Sequence, residues 1–129
     1  TRALSSAASD VYKRQMQEAG QYLVGTHDFK SFCASKTQVQ TTVRTVTGIE
    51  VETHSLSEGE YPSQKVIIRV TGEGFLYNMV RIISGTLIKV GLGVYPPEHV
   101  KQILEACDRS QAGETVPAKG LFLKKIEYL

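Results

Sequence analysis

Tryptophan does not occur in the 129 residues, and there are only two cysteines, three histidines and four prolines. Cys33 and Cys107 cannot build a disulfide framework, and the three histidines have no metal-ligand spacing. Both features fit a reducing, cytoplasmic setting. No apolar run approaches the roughly 20 residues of a membrane span. The richest stretch, residues 75–94, is broken by Asn78, Arg81, Ser84 and Lys89, so no membrane partner is expected. The start lacks the charged, apolar, small-residue order of a secretion signal. There is no GxGxxG, no P-loop and no CxxC, which removes the common nucleotide and redox motifs. Charge is nearly even, with 15 basic and 13 acidic residues, so composition does not announce a nucleic-acid binder. An anionic partner would have to meet a local patch. What is present is 41% hydrophobic and 22% charged sequence, which places the chain among folded domains rather than disordered ones. Its length supports one domain with a single core.

Residues 1–15, TRALSSAASDVYKRQ, stand apart. Asp10 to Gln15 are spelled by the codons GAT GTG TAT AAG AGA CAG, a string that resembles a transposase-end adapter of sequencing libraries. We expect this segment to be a non-native leader, the alternative being a native helical lead-in, and we leave it out of the fold reading. It holds Arg2, Lys13, Arg14 and Asp10, so residues 16–129 are balanced at twelve charges of each sign.

From residue 16 onward there is no repeat and no linker-like stretch. Met16, Ala19, Leu23 and Val24 share a helical face, and Gly25 can close that helix in a left-handed conformation. Thr26 or Asp28 can cap a short turn that places Phe29 and Phe32 in one core. Residues 42–53 alternate, with Val43, Thr45, Thr47, Ile49 and Val51 on one parity, and predict a strand. After a loop over residues 54–63, Val66, Ile68 and Val70 mark a second strand over 64–71, antiparallel to the first. Beyond Glu73-Gly74 the period changes. Leu76, Met79, Val80, Ile83, Leu87 and Val90 predict a buried helix over 75–90, stopped by Gly91 and Gly93. Pro96 and Pro97 open another helix, with Val100, Ile103 and Leu104 on its apolar face. Residues 108–119 read as a polar loop and residues 121–129 as a closing strand. This mixture predicts an α+β fold, a mainly antiparallel sheet with helices packed on one face.

Arg81 is the most informative single residue, a guanidinium inside a largely apolar helix. With Tyr77 four residues before it and Gly85 four after, it is expected to project from a strip with room beside it. Its planar fork suits a carboxylate or a phosphate. A snorkelling arginine at the core edge, or one paired with Glu73 or Glu105, fits the residues equally. Gly120-Leu121 after Pro117-Ala118-Lys119 is either a stiffened loop that lets a ligand approach or an ordinary lead into a strand. Asp108-Arg109 suggests a helix end with a local ion pair. His27-Asp28 suggests an imidazole–carboxylate pair, but no nucleophile can be assigned to it and a turn accounts for it as well.

Taken together, these segments resemble the TruA-type tRNA pseudouridine synthases. Residues 25–32, GTHDFKSF, resemble that family's G-x-x-D-F-x-S-F, and residues 72–87, GEGFLYNMVRIISGTL, its G-x-x-F-L-Y-x-M-V-R-x-I-x-G-x-L. Val90-Gly91, Asp108-Arg109, Ala112-Gly113, Pro117 to Leu121 and Tyr128 follow in the family's order. The resemblance implies isomerisation of uridine to pseudouridine in the anticodon stem-loop of tRNA, at positions 38 to 40, with no cofactor. It implies two related α+β halves around a basic cleft, and a homodimer. An aspartate attacks as the glycosidic bond breaks, and the arginine matching Arg81 pairs with it. The leucine matching Leu121 lies against the target base. Tyr77 and Asn78 are expected in the same pocket, Lys119 and Gly120 beside it, and Arg44 and Lys119 are candidates for phosphate contact.

One departure from the family is large. Its G-R-T-D-x-G-V motif, which carries the aspartate, is absent, and so is its active-site tyrosine; Asp10, Asp28 and Asp108 have other neighbours. We therefore expect residues 16–129 to be the C-terminal half of such an enzyme, inactive without its N-terminal half and baring one side of its sheet. The alternative is a non-catalytic RNA-binding or assembly module of the same half-fold. A structural domain without a ligand is a third reading.

Overall fold

The computed structural model describes residues 2–34, 41–56 and 63–115. In chain order it contains helix α1 (Arg2–Gln21), strand β1 (Gly25–Asp28), a 3-10 turn (Lys30–Phe32), strands β2 (Val43–Leu56) and β3 (Ser63–Gly72), helices α2 (Met79–Gly91) and α3 (His99–Ala106), and a second 3-10 turn (Arg109–Gln111). The strands form one antiparallel sheet in the order β1-β2-β3. The fold is α+β, as the change of period along the sequence predicts. The closing strand expected over 121–129 lies outside the described residues.

The helices cover one face of the sheet. Val46, Ile49 and Val51 of β2 are buried with Ala19 of α1, Leu23 just after it, Ile82, Ile83 and Leu87 of α2, and Val100 and Ile103 of α3. Phe29 and Phe32 are fully buried and meet edge to face, with ring centroids 6.2 Å apart. Each such side chain contributes roughly 1.5–3 kcal/mol by leaving water. The opposite face carries Thr26, Thr45, Glu50, Glu52 and Arg69, all exposed or half-buried.

Three sequence expectations are corrected. The alternation of β2 does not keep one parity: Val43 is 44% exposed, whereas Val46, Ile49 and Val51 are buried. The pairing with β3 slips between Val46 and Gly48, so a bulge at Thr47 turns the inward side from even to odd positions. Second, α1 begins at Arg2 rather than Met16. Ala3, Leu4, Ala7 and Ala8 are good helix formers and continue the helix backwards. At its other end α1 stops at Gln21, and Gly25, at φ +116°, opens β1 instead of closing the helix. Third, α2 starts at Met79 and not at Phe75, because Gly74 and Asn78 both adopt positive φ and hold the intervening residues out of the helix.

Strand β1 spans only Val43 to Val46 of β2, and among the described residues no strand pairs with the next residues of β2 on that side. Helix α1 fills the gap. Gln17 Nε2 donates to the Ile49 carbonyl at 2.6 Å, and Val51 N–H donates to Gln17 Oε1 at 2.8 Å. Gly20 permits the approach, since a Cβ there would stand 2.7 Å from Ile49 Cγ2. One side-chain amide thus satisfies two backbone groups of β2.

Candidate functional site

The site is built by the chain between β3 and α2. At the end of β3, Gly72 lies so close to β2 that a Cβ would meet the Thr45 carbonyl at 2.5 Å. Glu73 N–H then donates to that carbonyl at 3.0 Å. Gly74, at φ +115°, reverses the chain, and Leu76 drops into the core at 4% exposure. Tyr77 is left 69% exposed and Phe75 39% exposed on either side of it. The Tyr77 carbonyl accepts from Ala34 N–H at 3.4 Å, which fastens the turn to the segment after the first 3-10 turn.

Asn78 occupies the N-cap position of α2 in the left-handed region, at φ 61° and ψ 8°. Asparagine is one of the few residues that tolerate this conformation. Its side chain does not cap the helix backbone. Instead Oδ1 accepts a hydrogen bond from Arg81 Nη1 at 3.0 Å. The unusual backbone therefore serves the side chain, aiming the amide at the guanidinium. Arg81 is half-buried in the first turn of the helix. Asn78 and Arg81 are joined by this bond, whereas Tyr77 precedes the helix and does not share an i, i+4 face with Arg81.

The room expected beside Arg81 at Gly85 is occupied. A Cβ on Gly85 would lie 1.7 Å from the Glu114 carbonyl oxygen, so the backbone of residues 112–115 crosses α2 there in direct contact. The glycine marks a crossing of chains rather than an opening. Among signals in the sequence, a glycine within an apolar helical run is the only pointer to it.

Arg44 lies at the same end of the sheet, two residues from Val46, which pairs with Gly72. Its Nη1 donates to the carbonyls of Thr41 and Val43 at 2.9 and 2.7 Å, along its own strand. Lys119, Gly120 and Leu121 lie outside the described residues. His27 and Asp28 do not pair. His27 Nε2 meets the Val24 carbonyl at 3.0 Å, and Asp28 accepts from Lys30 N–H and Thr42 Oγ1. Asp108 accepts from Ser110, and Arg109 donates to Thr115 Oγ1, in place of the expected ion pair between them. The Ser110 bonds hold the Asp108 carboxyl below its ordinary range.

On the outer sheet face Arg69 bonds Glu52, and His54 Nε2 lies 3.3 Å from the same carboxylate. The Arg69 bond, followed by that of His54, holds the Glu52 carboxyl below its usual value. A separate cavity of about 320 Å³ includes His27, Asp28, Glu105 and Cys107 in its lining and none of the Arg81 group. Burial, with Asp28 nearby, pushes the Cys107 thiol up. No group of three or more residues able to hold a metal occurs among the described residues. None of the described helices is long and apolar enough to cross a membrane.

Known proteins share this arrangement of sequence. The chain is 49% identical over 115 residues to the tRNA pseudouridine synthase A of Bacillus subtilis, a match covering 89% of this chain and 43% of that protein. It is 50% identical over 113 residues to the tRNA pseudouridine synthase A of Brevibacillus brevis, covering 88% and 43%. It is likewise 50% identical over 113 residues to tRNA pseudouridine synthase A 2 of Clostridium tetani, covering 88% and 42%. The chain thus spans less than half the length of these relatives. The profile of the tRNA pseudouridine synthase family matches residues 19–129, a stretch that takes in the Tyr77-Asn78-Arg81 turn and both chains that cross at Gly85, and the chain belongs to that family.

Proposed function

We propose that this chain is the C-terminal part of an enzyme that isomerises uridine to pseudouridine in the anticodon stem-loop of tRNA, and that an N-terminal half supplies the catalytic aspartate. The observation that carries this reading is the exposed turn before α2, where Asn78 aims its amide at Arg81 in a chain of this family. In the reaction the bond from ribose C1′ to uracil N1 breaks, and C1′ rejoins uracil at C5. C5 loses a proton and N1 gains one, so substrate and product are isomers and no oxidant or cofactor is needed.

Arg81 holds the aspartate carboxylate through its planar fork, and Asn78 fixes the guanidinium from the other side. Tyr77 and Asn78 line the uridine pocket, with Gly120 and Leu121 against the base. Arg44 and Lys119 meet phosphates, which makes tRNA binding salt-dependent. In this reading residues 16–129 carry the function and residues 1–15 do not contribute to it. The assembled enzyme is a cytoplasmic homodimer, and the chain by itself binds tRNA weakly and does not catalyse.

The test is a chimera in which residues 19–129 replace the matching segment of the Bacillus subtilis relative. Formation of pseudouridine in a tRNA transcript supports the proposal. A folded chimera that binds tRNA without modifying it favours the non-catalytic module and overturns the enzymatic reading.

A further inference from the structure

The crossing at Gly85 has a second fastening. Thr86, fully buried, donates its hydroxyl to the Ile82 carbonyl at 2.9 Å and accepts from Gly113 N–H at 2.9 Å. Thr86 Oγ1 is therefore used in both roles, once within the helix and once across to the strap of residues 112–115. Neither backbone has slack. A Cβ on Gly113 would lie 2.9 Å from the Thr86 Cα and N, and a Cβ on Gly85 would collide with the Glu114 carbonyl. Two glycines face each other across a gap that admits no side chain, with one buried hydroxyl setting the register. Gly85 lies one helical turn beyond Arg81 in α2, on the same face. Arg109, donating to Thr115 Oγ1, ties the strap back to the second 3-10 turn. Ser31, fully buried, holds that turn in place by accepting from Asp108 N–H at 2.8 Å while donating to the Ile103 carbonyl.

We infer that Gly85, Thr86 and Gly113 are positioning residues: their clamp sets the strap against α2 and thereby fixes the first turn of the helix, and Arg81 with it. The inference rests on the reaction proposed above. None of the three touches substrate. Their contribution is alignment, and a misplacement of about 1 Å can cost roughly 100-fold in rate.

The test has two arms. In the full chain, NMR reads the Gly113 amide exchange rate and the signals of the Arg81 Nε–H and the Asn78 side-chain amide. Thr86→Val is expected to speed Gly113 exchange and shift the Arg81 and Asn78 signals, Gly85→Ala to shift them further, and Thr86→Ser to leave all of them near wild type. In the chimera, Gly85→Ala is expected to lower kcat about 100-fold while KM for tRNA changes less than about threefold. Thr86→Ser is expected to retain kcat. Should Gly85→Ala fail to fold, Thr86→Val decides the question in both arms. Strap variants that leave the Arg81 and Asn78 signals unmoved, or that raise KM in step with any loss of kcat, overturn the inference. An inactive wild-type chimera removes the proposed reaction, and the NMR arm then judges the clamp by itself.

Discussion

From Gly85 onward, α2 meets other backbone or side chain wherever its own residues are small. Gly85 lies under the Glu114 carbonyl, Thr86 bonds Gly113, and a Cβ on Gly91 would stand 3.0 Å from Met16 Sδ. The first turn of the same helix is different. Tyr77 and Phe75 are exposed before it, a left-handed asparagine begins it, and its guanidinium is held by a side-chain amide. One helix therefore carries a packed half that resists displacement and an open end that presents polar groups. The packed half contributes stability, and the open end spends some of it on a strained backbone.

Truncation separates the two regions most sharply. Leu87→Ala, in the packed half, is expected to destabilise the chain by about 2–5 kcal/mol, read as a shift in a urea unfolding midpoint. Equal midpoints for this variant and wild type would show that α2 is not seated as described. Asn78 tests the open end. Asn78→Ala is expected to cost about 1–2 kcal/mol because alanine pays for the left-handed conformation. Asn78→Gly should restore most of that loss while still lacking the amide that holds Arg81, so stability and the Arg81 signal part company. If glycine is no better than alanine, the backbone is not the reason asparagine stands there. Tyr77→Ala is expected to change stability by less than about 0.5 kcal/mol, as for an exposed side chain. A large loss would place Tyr77 in the core.

Acid titration gives the smallest effect and lies away from α2. The folded Glu52 carboxyl is held below its ordinary value of 4.5 by Arg69 and then His54. Its contribution is present above the unfolded value and fades as the pH falls through the lower, folded one. Glu52→Gln should therefore flatten the acid side of a stability profile below about pH 4.5 and leave α2 unaffected. A profile unchanged by that substitution would mean that the exposed pair does not contribute.

Much of this was legible in the sequence where a period was long and undisturbed. Val100, Ile103 and Leu104, the pair Phe29 and Phe32, and the two long strands fall where their spacing puts them. Periodicity misled where one residue changed the phase. The bulge at Thr47 swaps the inward parity of β2, and Gly48 beside it is the one hint of it within that run of β-branched residues. Phe75, Leu76 and Tyr77 look like the first turn of α2 in the sequence, but the positive φ of Gly74 and Asn78 keeps them ahead of the helix. Gln17 and the Gly85–Gly113 crossing were invisible for another reason: each joins segments far apart in the chain. Of the site, Arg81 was marked by its charge and Asn78 by resemblance, but the bond between them required the turn.

The central claim is that Arg81 serves the reaction and not the fold. The most direct measurement is pseudouridine formation at saturating tRNA by the chimera carrying Arg81→Ala, beside its unfolding midpoint. The account predicts that kcat falls by about 100-fold or more while the midpoint stays near that of the parent chimera. Full pseudouridine formation by the Arg81→Ala chimera would contradict it.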